Sequence, residues 1–205
     1  MINRRTVVGT MMLLWVLGPV LNVVFAAQQT PRATVESFHA TLLVAMQNAV
    51  ELAFTGRRDL MAPSVSESFD LSFISEVVAG RYWKTWGAVQ RERMLAMFSK
   101  LTVATYAARF DGYSGQQFKV TDTRPLKKER VLVRSVLVGI DGDEVRLDYV
   151  LHQRDDGWKV INVVAEGVSD LSVKRADYAT VLSTAGFEQL MNRLEEQIRL
   201  LSGAA

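Results

Sequence analysis

The chain has 205 residues, 24 of them lysine or arginine against 22 aspartates and glutamates, and it contains no cysteine. The missing thiols exclude disulfides, thiol catalysis and zinc–thiolate centres. The near-neutral balance leaves no overall electrostatic footprint for nucleic acid, so that partner is excluded on charge.

The first 26 residues read as an export signal. Arg4 and Arg5 form a short positive region, an apolar run extends from Val7 to Phe25, and the small residues Ala26 and Ala27 close it. Gly18-Pro19 breaks the run where a signal peptide bends before its cleavage site, which we place after Ala26. A retained membrane anchor is the alternative, since a spanning helix needs about 20 apolar residues. Cleavage leaves 179 residues (205 − 26) with 22 basic and 22 acidic side chains, enough for one domain over residues 27–205.

Downstream, Thr30-Pro31 is a helix start, a capping hydroxyl before a proline at the first helical position. Val35, Phe38, Leu42, Ala45, Met46, Ala49 and Leu52 recur at helical spacing, and Gly56 is expected to stop that helix. A short helical stretch over 57–66 follows, interrupted by Pro63. Asp70 is placed to cap a helix from Leu71 to Val78 that Gly80 ends. The longest mid-chain helix runs from Ala88 to Phe110, with an apolar stripe of Met94, Met97, Phe98, Leu101, Thr105 and Ala108. The period then changes from 3.6 to 2. Phe118–Thr123, Val131–Ile140, Val145–His152 and Trp158–Ala165 read as four strands. Turns at Asp141-Gly142 and Asp156-Gly157 make an antiparallel meander of the last three. Val145, Leu147, Tyr149 and Leu151 share one face of the third strand, with Arg146, Asp148 and His152 on the other. Two helices, 170–184 and 187–201, close an α+β domain.

Catalytic and metal-binding patterns are sparse. His39 and His152 each stand alone, without a helical histidine pair or a carboxylate that spacing can establish, and they read as ordinary, partly exposed histidines. No glycine-rich phosphate loop and no Gly-x-Ser-x-Gly elbow occurs. Apolar bulk is plentiful instead: Trp83, Trp86, Tyr106, Tyr113 and other aromatics mix with Met94 and Met97 on or beside the sheet. For any single residue an ordinary core is the plainer reading. The mixture of methionine and aromatics also suits an adaptable apolar cavity.

Phe69-Asp70, Trp83, Gln90-Arg91, Met97-Phe98 and Tyr106-Ala107 resemble the mid-region of the MlaC family of periplasmic phospholipid-binding proteins. Tyr149-Val150-Leu151, Gly157-Trp158-Lys159-Val160, Asn162-Val163-Val164 and Glu166-Gly167-Val168-Ser169 resemble that family's tyrosine strand, glycine–tryptophan strand and following turn. Residues 169–178 are similar to the hopanoid-associated HpnM branch. Two positions depart from the pattern: Ala79-Gly80 lies two residues further from Trp83 than the family's leucine–glycine, and Asn162 replaces an aspartate.

The resemblance implies an NTF2-like fold, a curved four-stranded antiparallel sheet covered by helices, with lipid tails held between them. It implies a non-enzymatic auxiliary component of a lipid transporter, without cofactor or metal, acting in the periplasm. Its ligand would be a phospholipid or hopanoid lipid, and its partners an inner-membrane ABC-type transporter complex and an outer-membrane lipoprotein. The lipid-binding set it suggests is Phe69, Phe73, Trp83, Met94, Met97, Phe98, Leu101, Phe110, Val136, Leu147, Tyr149 and Trp158. The physics agrees: two acyl chains hold about 28 methylenes, and exposing them at ~0.8 kcal/mol each costs on the order of 20 kcal/mol, so a soluble carrier needs a deep apolar pocket.

Two other readings stay open on sequence alone. NTF2-like pockets also host isomerases and dehydratases, which would require convergent titratable side chains inside the cavity. The last helix, 187–201, carries Phe187, Leu190, Met191, Leu194, Ile198 and Leu201 along one side and would serve either the domain's own core or a partner.

Overall fold

The computed structural model describes residues 30–203, so the export signal and its cleavage after Ala26 lie outside the described residues. Helix α1 (Pro31–Gln47) begins where the Thr30 hydroxyl accepts a hydrogen bond from the Ala33 amide at 3.1 Å, with Pro31 at the first helical position. It buries Val35, Phe38, Leu42, Ala45 and Met46, the residues whose spacing marked its apolar stripe.

The helical stretch after α1 differs from the sequence expectation. The chain turns at Asn48, whose side-chain amide donates to the Val44 carbonyl at 2.9 Å. Helix α2 (Ala49–Ser68) is kinked at Ala53, which sits at φ 49° and ψ −169°. Gly56 does not stop the helix and Pro63 does not interrupt it. An interior glycine costs about 1 kcal/mol relative to alanine and an interior proline about 3 kcal/mol. Full burial of Met61 and Val65 on the other side of that turn outweighs these penalties. Buried Arg57 braces the kink by donating through Nη1 to the Ala49 carbonyl (2.7 Å) and through Nε to the Ala107 carbonyl (2.8 Å).

Helix α3 (Leu71–Ala79) is capped by Asp70, whose carboxylate accepts from the Phe73 amide at 2.9 Å. Gly80 ends it at φ 59°, a conformation that glycine adopts without a Cβ penalty. A 3₁₀ turn over Gly80–Thr85 leads into α4 (Ala88–Arg109). The buried side of α4 is Met94, Phe98, Leu101, Val103, Ala104 and Ala107. Met97, Thr105 and Ala108 from the expected stripe lie at its half-buried margin.

Strands β1 (Gln117–Leu126), β2 (Arg130–Val138), β3 (Glu144–Arg154) and β4 (Gly157–Ala165) form the antiparallel meander. A two-residue β5 (Val168–Ser169) adds a fifth strand to the four expected. It is folded back by a turn at Glu166 (φ 50°) and Gly167 (φ 82°), the left-handed pair that a tight hairpin requires. Register irregularities between Val120 and Asp122 and between Val150 and Leu151 bend the sheet.

The pairings Val133–Tyr149, Ser135–Leu147 and Phe118–Leu137 assign these side chains to one face of the sheet. Val136 pairs with Arg146 and Lys119, and Arg134 with Asp148, so these occupy the opposite face. Helix α1 lies against β1, β2 and β4, and α4 against α2 and α3. Helices α5 (Asp170–Thr184) and α6 (Gly186–Leu201) complete the domain, α5 against α3 and β4, α6 against α4. The observed fold is thus the expected α+β architecture: a curved, open antiparallel sheet covered by helices.

Candidate functional site

Where α1 and α4 meet the sheet, aromatic rings form a connected cluster. Phe38 packs edge-on to Phe69 and to Tyr106, each at 5.0 Å, and approaches Tyr149 at 6.5 Å. Tyr106 stacks on Phe110 at 6.1 Å, and Phe110 lies 6.1 Å from Phe118 of β1. His39 stacks on Phe118 at 4.2 Å, and its Nε2 lies 3.0 Å from the Tyr149 hydroxyl. The interlocked rings bury large areas with defined edge-to-face geometry.

Phe38 and Tyr149 are sealed, whereas Tyr106, Phe110, Phe118, Val120, Leu147 and Val163 pack on the core while keeping accessible surface. These half-buried apolar side chains stand on α4 and on the sheet's helix-facing side, bordering the sealed core.

His39 is not the partly exposed residue that the sequence suggests: it retains 3% of its surface, and burial pushes its pKa down to about 4. Burial likewise raises the Tyr149 phenol well above its ordinary value. Both are therefore neutral near pH 7, and the pair is a polar link inside an apolar wall. A proton-transfer role calls for a group that titrates near the working pH, which neither does.

The second concentration of polar groups surrounds Asp70. Its carboxylate caps α3 and meets His152 Nε2 at 2.8 Å and Arg154 Nε at 2.5 Å, while its amide donates to the Val160 carbonyl at 3.0 Å. Burial opposes the charge on Asp70. The hydrogen bonds from the Phe73 amide, Arg154 and His152 outweigh that and hold its pKa below the ordinary value. His152 thus has the carboxylate partner that spacing could not reveal, since Asp70 lies 82 residues away. Beside this hub an open cleft of about 580 Å³ is lined by Phe69, Leu71 and Leu95 together with Asp70, Arg154, Asp156 and Lys159. That volume is within the ~300–1,000 Å³ of small-molecule pockets.

The structure divides the twelve suggested lipid-binding residues into separate environments. Phe69, Phe110, Leu147 and Tyr149 belong to the aromatic wall or its sheet face, and Phe69 also lines the cleft. Met94, Phe98 and Leu101 are sealed in the core, with Met97 half-buried beside them. Phe73 leans on His152 at 5.1 Å, next to the Asp70 hub, and Trp158 is half-buried on β4. Trp83 is not brought to the sheet: it packs on Trp86 at 6.0 Å, and Trp86 in turn meets Phe187 of α6. Val136 stands on the far face of the sheet from Tyr149, because their positions along paired strands differ by an odd number of residues. The suggested set omitted Phe38, Phe118 and Tyr106. The signal for Phe118 was its place at the start of an alternating strand, and for Phe38 the helical stripe of α1.

Among the described residues no group of three or more histidine, aspartate or glutamate side chains is placed to hold a metal ion, and no helix is long and apolar enough to cross a membrane.

Comparison with known proteins gives concordant results. The fold matches the phospholipid-binding protein of Ralstonia solanacearum, solved in complex with a phospholipid, with a TM-score of 0.74 at 22% sequence identity, covering 84% of this chain and 98% of that one. In sequence the chain is 24% identical over 131 residues to the intermembrane phospholipid transport system binding protein MlaC of Haemophilus influenzae. That alignment spans 62% of this chain and 61% of the relative. Residues 36–196 match the family model described as MlaC protein, and the chain belongs to that family.

Proposed function

We propose that this protein is a periplasmic lipid carrier, exported by a cleaved signal ending at Ala26, that holds the tails of a phospholipid or hopanoid-related lipid between its sheet and helices. In this reading residues 27–205 form a single lipid-binding domain. It passes lipid between an inner-membrane ABC-type transporter complex and an outer-membrane lipoprotein, contributing to outer-membrane lipid asymmetry. The observation that carries the reading is the half-buried apolar lining of Tyr106, Phe110, Phe118, Val120, Leu147 and Val163. The same fold in a relative solved with a phospholipid supports it. Apolar contact without specific polar recognition also suits a carrier, which must release its cargo as readily as it takes it up. An isomerase or dehydratase is not favoured, because burial holds the titratable groups of the wall, His39, Tyr106 and Tyr149, neutral near pH 7.

The face assignment gives a direct test. Phe118→Asp and Leu147→Asp, on the helix-facing side, should each reduce co-purified lipid at least severalfold, since a buried charge is incompatible with an acyl chain. Val136→Asp, on the far side between Lys119 and Arg146, should leave lipid content unchanged. Lipid extraction with mass spectrometry, on variants checked for folding by circular dichroism, reads both. Full retention in folded Phe118→Asp and Leu147→Asp proteins would remove the lining from the binding site.

A further inference from the structure

The hairpin joining β1 to β2 is charged out of proportion to the rest of the molecule. Over residues 124–130 it carries Arg124, Lys127, Lys128 and Arg130 against the single carboxylate of Glu129. The register Leu126–Arg130 sets Lys127, Lys128 and Glu129 in the connecting loop, where Lys128 (φ 62°) and Glu129 (φ 53°) turn the chain back. Among the described residues no carboxylate forms an ion pair with Arg124, Lys127 or Lys128. Arg130 lies over the Phe73 ring at 5.9 Å and pairs along the sheet with His152. Leu126, beside the loop, is 37% exposed.

We propose that this hairpin docks the protein on an anionic phospholipid bilayer. An anionic surface attracts each nearby lysine or arginine, and an exposed leucine next to two lysines is the pairing that settles at the headgroup boundary, its apolar side inward and the ammonium groups among the phosphates. An acidic protein surface would be attracted by the same cations, but it would need an apolar spot matched to Leu126, whereas a bilayer offers apolar depth to any exposed side chain beside its headgroups. The hairpin also lies at the end of the sheet that holds Arg154, Asp156, Lys159 and the open cleft, because Arg130 is registered with His152, two residues before Arg154. Docking through the hairpin brings the cleft, with Phe69 and Leu71 in its lining, toward the bilayer. This orientation complements the carrier reading, yet the docking itself depends only on the hairpin.

Co-sedimentation with phosphatidylcholine vesicles, with and without phosphatidylglycerol, tests the proposal on the purified protein. Binding should be stronger to the phosphatidylglycerol vesicles and should fall steeply with added salt, as screening requires. Replacing both lysines, Lys127→Gln with Lys128→Gln, should weaken binding to the anionic vesicles about thirtyfold. Leu126→Ser should lower it further in a salt-independent way. Lipid extracted from the double variant should stay at the level of the unsubstituted protein, which separates a docking defect from a cargo-binding defect. Equal binding to both vesicle types, or an anionic preference that survives the double substitution, overturns the proposal. A double variant that keeps its vesicle binding but loses affinity for an acidic protein assigns the hairpin to a protein partner and overturns it equally.

Discussion

Two buried polar residues, His39 and Asp70, contribute to the pH dependence of this domain's stability in adjoining ranges. Unfolded His39 takes up its proton near 6.5, whereas the folded residue does so only near 4. Between those values the unfolded state binds more protons, so stability falls as the pH drops, by on the order of 3 kcal/mol across the window. His39→Gln keeps a hydrogen-bonding group toward Tyr149 and removes the titration. Urea unfolding from pH 7 to pH 4 should therefore show a flatter profile for this variant. Asp70 has a folded pKa lowered from 3.8, so its contribution is complete above that value and is lost as the pH falls below it. Asp70→Ala removes the α3 cap and leaves His152 and Arg154 without their acceptor. A loss of about 2 kcal/mol in the same unfolding measurement is expected, most of it from the cap and the orphaned His152, since Arg154 is half exposed to water. The capping role of Asp70 was legible in the sequence, because a cap is a local contact. Its bond to His152 was not, because it spans 82 residues and only the tertiary fold creates it.

At the scale of elements, strong periodicity and local punctuation were reliable where the two agreed. Helices α4, α5 and α6 match their expected bounds to within a residue, and the Asp141-Gly142 turn falls between β2 and β3 as expected. Around α2 they disagreed. Gly56 is a weak local breaker and Pro63 a strong one, costing about 3 kcal/mol in a helix interior, and packing of Met61 and Val65 overrides both, while the real bend arises at Ala53, which Arg57 braces from the distant Ala107 carbonyl. The last helix belongs to the core: Leu190, Met191 and Leu194 are buried, and Glu188 forms a bidentate pair with Arg93 of α4 at 2.8 and 2.9 Å. Truncation after Gly186 should accordingly abolish the cooperative thermal transition. A truncated chain that melts as sharply as the whole one would show that α6 is dispensable to the fold.

For the whole molecule, the change of period from 3.6 to 2 and back made the α+β class readable, and the glycine–tryptophan strand with its glutamate–glycine turn pointed to the family. What the sequence could not separate was lining from core. Met94 and Phe98 look the same as Phe110 and Phe118 in a pattern of apolar residues, yet the first two are sealed and the last two keep accessible surface. Strand register decided the case of Val136, and register is a property of pairing between strands rather than of one strand alone. The central claim is that this apolar wall carries a lipid. Native mass spectrometry of the purified protein, followed by lipid extraction, tests it most directly. The account predicts a bound phospholipid or hopanoid-related lipid that is released on unfolding. Protein that is repeatedly recovered folded and free of lipid, and that takes up none from vesicles, would contradict it.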